Sequence, residues 1–323
     1  MLCRLLLLYS LIGLTAASAQ AEEANWFAVT VDNDIFLGND NWYTNGIYAS
    51  WVNTANQNDL HQPGLMTIPI NWSLDIEGAQ LTLQAYTLGQ IMVTPEDIRI
   101  INPPLTDMPY SGTLLFHSTF IAVQESHADA AGTAIGIVGP ASGAERSQKR
   151  VHVIVGADEP KGWDSQLGDE IIFQVNRARL WRAWYSKDDR SDFLVLADIG
   201  AGTLSSYLAS AMLVRFGRGL FNTFETPLLI NTRSANPAAV NGAWYAFAGA
   251  RFEYVFNNIF GDGNTFKDSR SIDFDHSQIG LTAGLALSWK QLSITLALYE
   301  SNITDSSAGD FTRFGTLTLG WQY

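Results

Sequence analysis

Apolar and polar residues alternate one for one in about a dozen segments of this 323-residue chain. After the first 21 residues, no run reaches the roughly 18 consecutive apolar residues that a membrane-spanning helix needs. A period of two puts neighbouring side chains on opposite faces of a strand. In "AWYAFAGARFEYVF", Trp244, Ala246, Ala248, Ala250, Phe252, Tyr254 and Phe256 share one face, whereas Arg251 and Glu253 fall on the other. The chain also carries 10 Trp, 11 Tyr and 17 Phe, many for a soluble protein. A transmembrane antiparallel β-barrel reconciles these facts, because its strands show only every second residue to lipid. The alternating segments near 26–36, 45–53, 81–90, 113–124, 131–138, 168–178, 192–202, 206–216, 243–257, 278–289, 291–301 and 313–323 predict an all-β fold of about 12 strands. A soluble β-sandwich is the weaker reading, since it rarely needs so many aromatics on one face.

The first residues have the layout of a secretory signal peptide. Arg4 precedes the apolar run "LLLLYSLIGL", and small residues follow at Ala17, Ser18 and Ala19. Cleavage is expected near Ala19 or Ala21, giving a leader over 1–21 and a barrel over 22–323. The single cysteine, Cys3, falls in that leader, so the expected mature chain forms no disulfide. Export without cysteines suits a bacterial envelope protein. A net charge of -13 excludes nucleic acid as a partner, because phosphate binding needs clustered Lys and Arg. Divalent cations could still bridge this acidic chain to anionic lipids. The last segment, "GTLTLGWQY", ends on an aromatic residue, like the closing strand of bacterial outer-membrane barrels. The expected location is therefore the bacterial outer membrane, and the expected state a monomer.

An even strand count with periplasmic termini makes the first strand run outward. Links 54–80 and 217–241 then fall on the periplasmic side and are longer than usual barrel turns. Residues 139–167 break the rhythm. Ser142 followed by Glu145 reads as a capping box starting a helix, with Gln148 and His152 on one face. The β-branched "VHVIV" would equally suit a strand. Strand parity favours a short helix in an extracellular loop.

The chemistry gathers at the outer rim. "FAVTVDNDIFLGNDNWYTNGIYASW", residues 27–51, loads a clean alternation with Asp32, Asn33, Asp34, Asn39, Asp40 and Asn41. Such a cluster is either a solvated hairpin tip or a cation site. Asp34, Thr44 and the helix bearing His152 fall on the same rim. Carboxylate and carbonyl oxygens suit Ca²⁺, and a neutral imidazole beside them can take a proton from water, as in a calcium-assisted hydrolase. No G-x-S-x-G elbow supports a serine nucleophile.

Taken in order, "VDNDIF…DNWYTNGIYASW", "LGQIMVTPEDI" and "GIVGPASGAERSQKRVHVIVGADEPKGWDSQL" resemble the outer-membrane lipid A 3'-O-deacylase family. The resemblance implies a twelve-stranded barrel whose active site lies between the outer part of the wall and a loop helix. It implies hydrolysis of the 3'-linked acyloxyacyl chain of lipid A, with lipopolysaccharide and outer-membrane lipid as partners. By motif, Asn33 and Asp34 match the family's Asn-Asp pair and are the expected Ca²⁺ site. Thr44 matches the Thr of its tyrosine-threonine turn, and His152 its catalytic base. Asp158, or its neighbour Glu159, stands where the family has the acid that fixes the imidazole. Gln148 is expected to orient the helix or the sugar, and Trp163 to be an interfacial contact. Rival readings are an outer-membrane phospholipase and a non-catalytic porin.

Overall fold

The computed structural model describes residues 25–33, 43–57, 59–231, 243–302 and 312–323. The leader expected over 1–21 lies outside them. Twelve antiparallel strands close into a barrel in which each strand pairs with its sequence neighbours and β1 pairs with β12. They are β1 (Asn25–Asn33), β2 (Tyr43–Asn56), β3 (Leu81–Val93), β4 (Ser111–Val123), β5 (His127–Val138), β6 (Glu170–Tyr185), β7 (Ser191–Gly202), β8 (Ser205–Arg218), β9 (Trp244–Asn258), β10 (Ser277–Trp289), β11 (Leu292–Ser301) and β12 (Thr312–Gln322). Among the described residues, four short helices interrupt the connections: α1 (Ile68–Asn71), α2 (Ala144–Val155), α3 (Thr226–Asn231) and α4 (Ile259–Asp262). No described helix is long and apolar enough to cross a membrane.

Alternation sets the two faces. In β11, Leu292, Ile294, Leu296 and Leu298 point outward, and Ser293, Thr295 and Ala297 point into the lumen. The outward band ends in aromatics on both sides. Trp181, Trp184, Trp244, Trp289 and Trp321 mark the end carrying the termini, and Phe173, Tyr254 and Phe256 the opposite end. This is the girdle arrangement of a barrel in a bilayer. Arg251 and Glu253 face the lumen as the alternation predicts, with Nε donating to Oε2 at 2.6 Å. Arg251 also donates to Asp198, which Tyr207 bonds through its hydroxyl. Arg251, Glu253 and Tyr207 border a lumen cavity of about 400 Å³.

The two long links do different things. The chain after β8 turns into the lumen, where Leu220, Phe224, Leu228 and Leu229 are buried against inward residues such as Leu180, Leu194 and Tyr245. It forms a plug, held by Arg215. That fully buried guanidinium donates to both oxygens of Asp192 at 2.9 and 2.5 Å and to the carbonyl oxygens of Thr223 and Leu220.

The plug also buries Glu225, and loss of solvent pushes its carboxyl up to about 7, against the pull of Arg215 and Arg182. A carboxyl raised on folding holds its proton better in the native state. Stability should therefore decline as pH rises from about 4.5 through 7, by about 3 kcal/mol in total. Urea midpoints taken from pH 5 to 8 should show that slope in the native sequence and lose it in Glu225→Gln.

The link before β3 takes the opposite route and clasps the outside of the wall. Leu60, Leu74 and Ile76 pack on Phe120 and Ala122, and the backbone of His61 donates to Thr82. Arg177 donates to the carbonyl and hydroxyl oxygens of Ser73. It shares Asp129 with Arg179, whose Nε and Nη2 lie 2.7 and 2.6 Å from the carboxylate. Arg177 opposes Ile199, which opposes Leu208, and both aliphatics are exposed on the membrane face. The charges thus sit on the lipid side of the barrel beneath the clasp. The clasp presents Leu65, Ile68 and Trp72 in their place.

Candidate active site

The site is built on one cross-strand row. Asn33 at the outer end of β1 opposes Asn45 of β2, Asn45 opposes Met92 of β3, and Met92 opposes Gly112 of β4. One row inward, Val31, Ile47, Gln90 and Leu114 face outward in the same way. The whole row therefore lies on the exterior of the barrel near its outer rim. Thr44 falls at the register shift between Tyr43 and Asn45, one residue beyond Asn33's partner. A bulge re-aims the chain at such a place. Asp34 lies outside the described residues, and of Thr44 only the backbone is described.

Helix α2 docks on this row from outside, against β3 and β4. Ala144 packs with Met92, Tyr110 and Trp163, and Gln90 donates to the carbonyl of Ser142 at 2.8 Å. The seat requires a glycine. A Cβ on Gly112 would come 2.2 Å from the Ala144 Cβ and 2.5 Å from the Ser142 hydroxyl. Gly112→Val should displace α2 and lower any hydrolysis at this site about a hundredfold, the scale of a misplaced catalytic group. The barrel should still show its heat-dependent mobility on gels. Unchanged turnover would mean that the seat is immaterial.

The capping box expected at Ser142 and Glu145 does not form. The chain enters through a 3₁₀ turn over Pro140–Ser142, and Gly143, with φ of 73°, occupies the cap without a side-chain bond. Glu145 instead accepts from Lys149 at 2.8 Å, one turn on. "VHVIV" lies within the helix rather than in a strand.

At the helix end, His152 is half-buried and its Nδ1 lies 2.6 Å from the carbonyl oxygen of Asp158. A carbonyl only accepts, so Nδ1 carries a hydrogen, and in the neutral imidazole the lone pair is then on Nε2. The partner is thus the main chain of Asp158 and not its carboxylate, which is 70% exposed and stands 4.0 Å from Arg99 Nε. The reason is the turn after α2. Gly156, with φ of 73°, reverses the chain and presents the next carbonyls to the helix end. Glu159 is exposed beside it.

Trp163, expected at an interface, is only 1% exposed. Its indole N–H donates to the Gln148 Oε1 at 2.7 Å, and its ring lies 4.9 Å from that of Tyr110. Both Trp163 and Gln148 therefore brace α2 against the wall. The buried Gln148 Nε2 finds no partner among the described residues.

Among the described residues, no group of three or more His, Cys, Asp or Glu is disposed to hold a metal. Oxygen donors are present in another form. The Oδ1 of Asn45, directly across from Asn33, is buried with no hydrogen-bond donor among the described residues. A hard cation would satisfy it, and the Asn33/Asn45 pair next to Asp34 in sequence fits the oxygen set that Ca²⁺ takes. Asn45 was not legible from sequence, where "TNG" reads only as a turn. Strand register alone brings it opposite Asn33.

A family model described as "Outer membrane protein LpxR" matches residues 3–323. Among solved structures, LpxR from Salmonella typhimurium superposes with a TM-score of 0.75 at 17% identity, covering 92% of this chain and 99% of that one. The KdgM porin gives 0.39 at 5% identity, covering 92% and 99%. The translocator domain of the autotransporter NalP from Neisseria meningitidis gives 0.41 at 8%, covering 95% and 90%. No curated protein sequence matches the chain.

Proposed function

Because the chain belongs to the LpxR family of outer-membrane proteins, we propose that it is a lipid A deacylase that hydrolyses the 3'-linked acyloxyacyl ester. The observation that carries this reading is the shared row. The first-strand Asn33 and the seat of α2 at Gly112 lie three strand spacings apart, about 14 Å. His152 lies eight residues along the helix from Ala144, about 12 Å. The two lengths match, so a helix crossing from β4 over β3 carries the imidazole toward β1. The arrangement opens laterally to the leaflet in which lipid A resides, rather than into the lumen.

In this reading, His152 Nε2 removes a proton from water as that water attacks the ester carbonyl. The carbon–oxygen bond to the sugar then breaks, and the imidazolium returns the proton to the departing sugar oxygen. The Asp158 carbonyl holds the tautomer, and the carboxylates of Asp158 and Glu159 favour the transient imidazolium. Asn33, Asn45 and Asp34 would hold Ca²⁺, which supplies positive charge for the oxyanion. Thr44 donates a further hydrogen bond to the same oxygen.

Mass spectrometry of lipid A from a host expressing the gene tests the reading; a folded barrel with full-length lipid A would sink it. Dialysis against a calcium chelator should reduce acyl release to background, and added Ca²⁺ should restore it. Activity that survives the chelator would remove the cation from the mechanism. Glycerophospholipid offered alongside lipid A separates this reading from a phospholipase.

A further inference from the structure

Helix α2 has a flank that the reaction above does not use. Ala144 and Gln148 are buried against the wall. On the opposite flank, Arg146, Arg150, Val153 and Ile154 follow one another at helical spacing, and all four are exposed, the last two to 84% and 82%. Neither arginine forms a hydrogen bond or ion pair with a described residue, whereas Lys149 beside them is tied to Glu145. Two unpaired guanidiniums one turn apart are unexpected in a chain of net charge -13 with only 19 Lys and Arg.

The wall gives this flank its surroundings. The helix rests on the outside of β3 and β4 at the outer rim, so its far side points away from the barrel along the membrane. A helix flank that is both basic and apolar, at the outer rim of the barrel, fits the zone where lipid phosphates meet acyl chains. Arg meets phosphate through paired N–H donors, and bare Val and Ile side chains gain nothing from water.

We propose that this flank binds the phosphate-bearing headgroup of an outer-leaflet lipid other than the one facing His152. Arg146 and Arg150 clasp the phosphate, and Val153 and Ile154 insert among that lipid's chains. The enzyme then holds a neighbouring lipid as a fixed border to its cleft. This inference rests on the fold and the placement of α2, not on the hydrolytic reading.

The test uses the full chain carrying Cys3→Ser, His152→Ala and Ile154→Cys, labelled at position 154 with a polarity-sensitive fluorophore. It is reconstituted in bilayers of digalactosyldiacylglycerol, a host lipid without phosphate, with lipid A, with dephosphorylated lipid A, or with neither as the baseline. Phosphorylated lipid A should move the emission to shorter wavelength and allow quenching by chain-labelled nitroxide lipids. Arg146→Gln with Arg150→Gln should raise the half-saturating lipid A about 25-fold, at about fivefold per arginine. A label that stays in water with lipid A present overturns the proposal, as does equal burial with the dephosphorylated lipid. With the imidazole removed, neither outcome depends on whether the chain hydrolyses anything.

Discussion

Replacing His152 by alanine is expected to abolish release of the 3'-linked chain while leaving the barrel intact. The loss should reach about 10²–10⁴-fold, the usual contribution of a positioned general base. The argument is local. Of the five histidines, His61 and His127 stand toward the periplasmic side and His117 lies within the wall. His276 belongs to the loop between β9 and β10, on the side of β1 away from β2, where its Nδ1 lies 2.6 Å from the Val255 carbonyl oxygen. Only His152 is carried by the helix that docks on β3 and β4, on the side of β1 where Asn33 faces Asn45. The lost contact is one side chain at a half-buried position on α2, whereas Gln148, Trp163 and Gly112 hold the helix, so the fold should survive. Lipid A mass spectra from cells expressing the variant, set beside a gel assay for the folded barrel, decide the matter. An undiminished shortened species would take His152 out of the reaction.

The second large effect concerns stability. Asp192→Ala should cost about 3–5 kcal/mol, because it strands the guanidinium of Arg215 in a site where neither residue is more than 1% exposed. Arg215 would keep its bonds to Thr223 and Leu220 and its contact with the Tyr245 ring, 5.1 Å from the centroid. None of these neutralises its charge. The plug that those carbonyls anchor should loosen with it. Urea unfolding followed by tryptophan fluorescence measures the change. Converting both partners together, Arg215→Met with Asp192→Leu, should be far milder than the single change, since no lone charge remains. Equal losses in the single and double variants would refute the pairing argument.

How much of this was written plainly in the chain depends on what each strand faces. Strands β9 to β12 have lipid on one side and lumen on the other, so their alternation reads directly and their ends fall near the predicted ones. Strands β3 to β6 do not. Their exterior is covered by the clasp and by α2, and in β4 both faces are buried over most of its length. Polar Gln84, Ser118 and Asp129 then occupy what alternation would assign to lipid. The β6 segment predicted to end at 178 continues to Tyr185, through Arg177 and Arg179. No local pattern announces a partner a hundred residues away, as Ser73 is from Arg177.

The same distinction governs the site. Motif resemblance alone brings Asn33 and His152 into the candidate site, whereas strand parity made the helix legible. Asn45 became visible only through register. Trp163 was misplaced because an aromatic next to glycine looks the same whether it faces lipid or fills the gap under a helix. The capping box failed for a geometric reason, since a left-handed glycine had already taken the position that the serine needed.

The clasp outside β3 to β6 also favours an order of assembly. Arg177, Arg179 and Asp129 enter bare hydrocarbon only at a cost, about 2–4 kcal/mol for each arginine on a barrel exterior at mid-depth and less for the aspartate. Wrapping residues 59–80 on those strands before the nascent sheet enters the bilayer removes that penalty. The contacts thus favour delivery of a half-dressed sheet over naked hairpins added one by one.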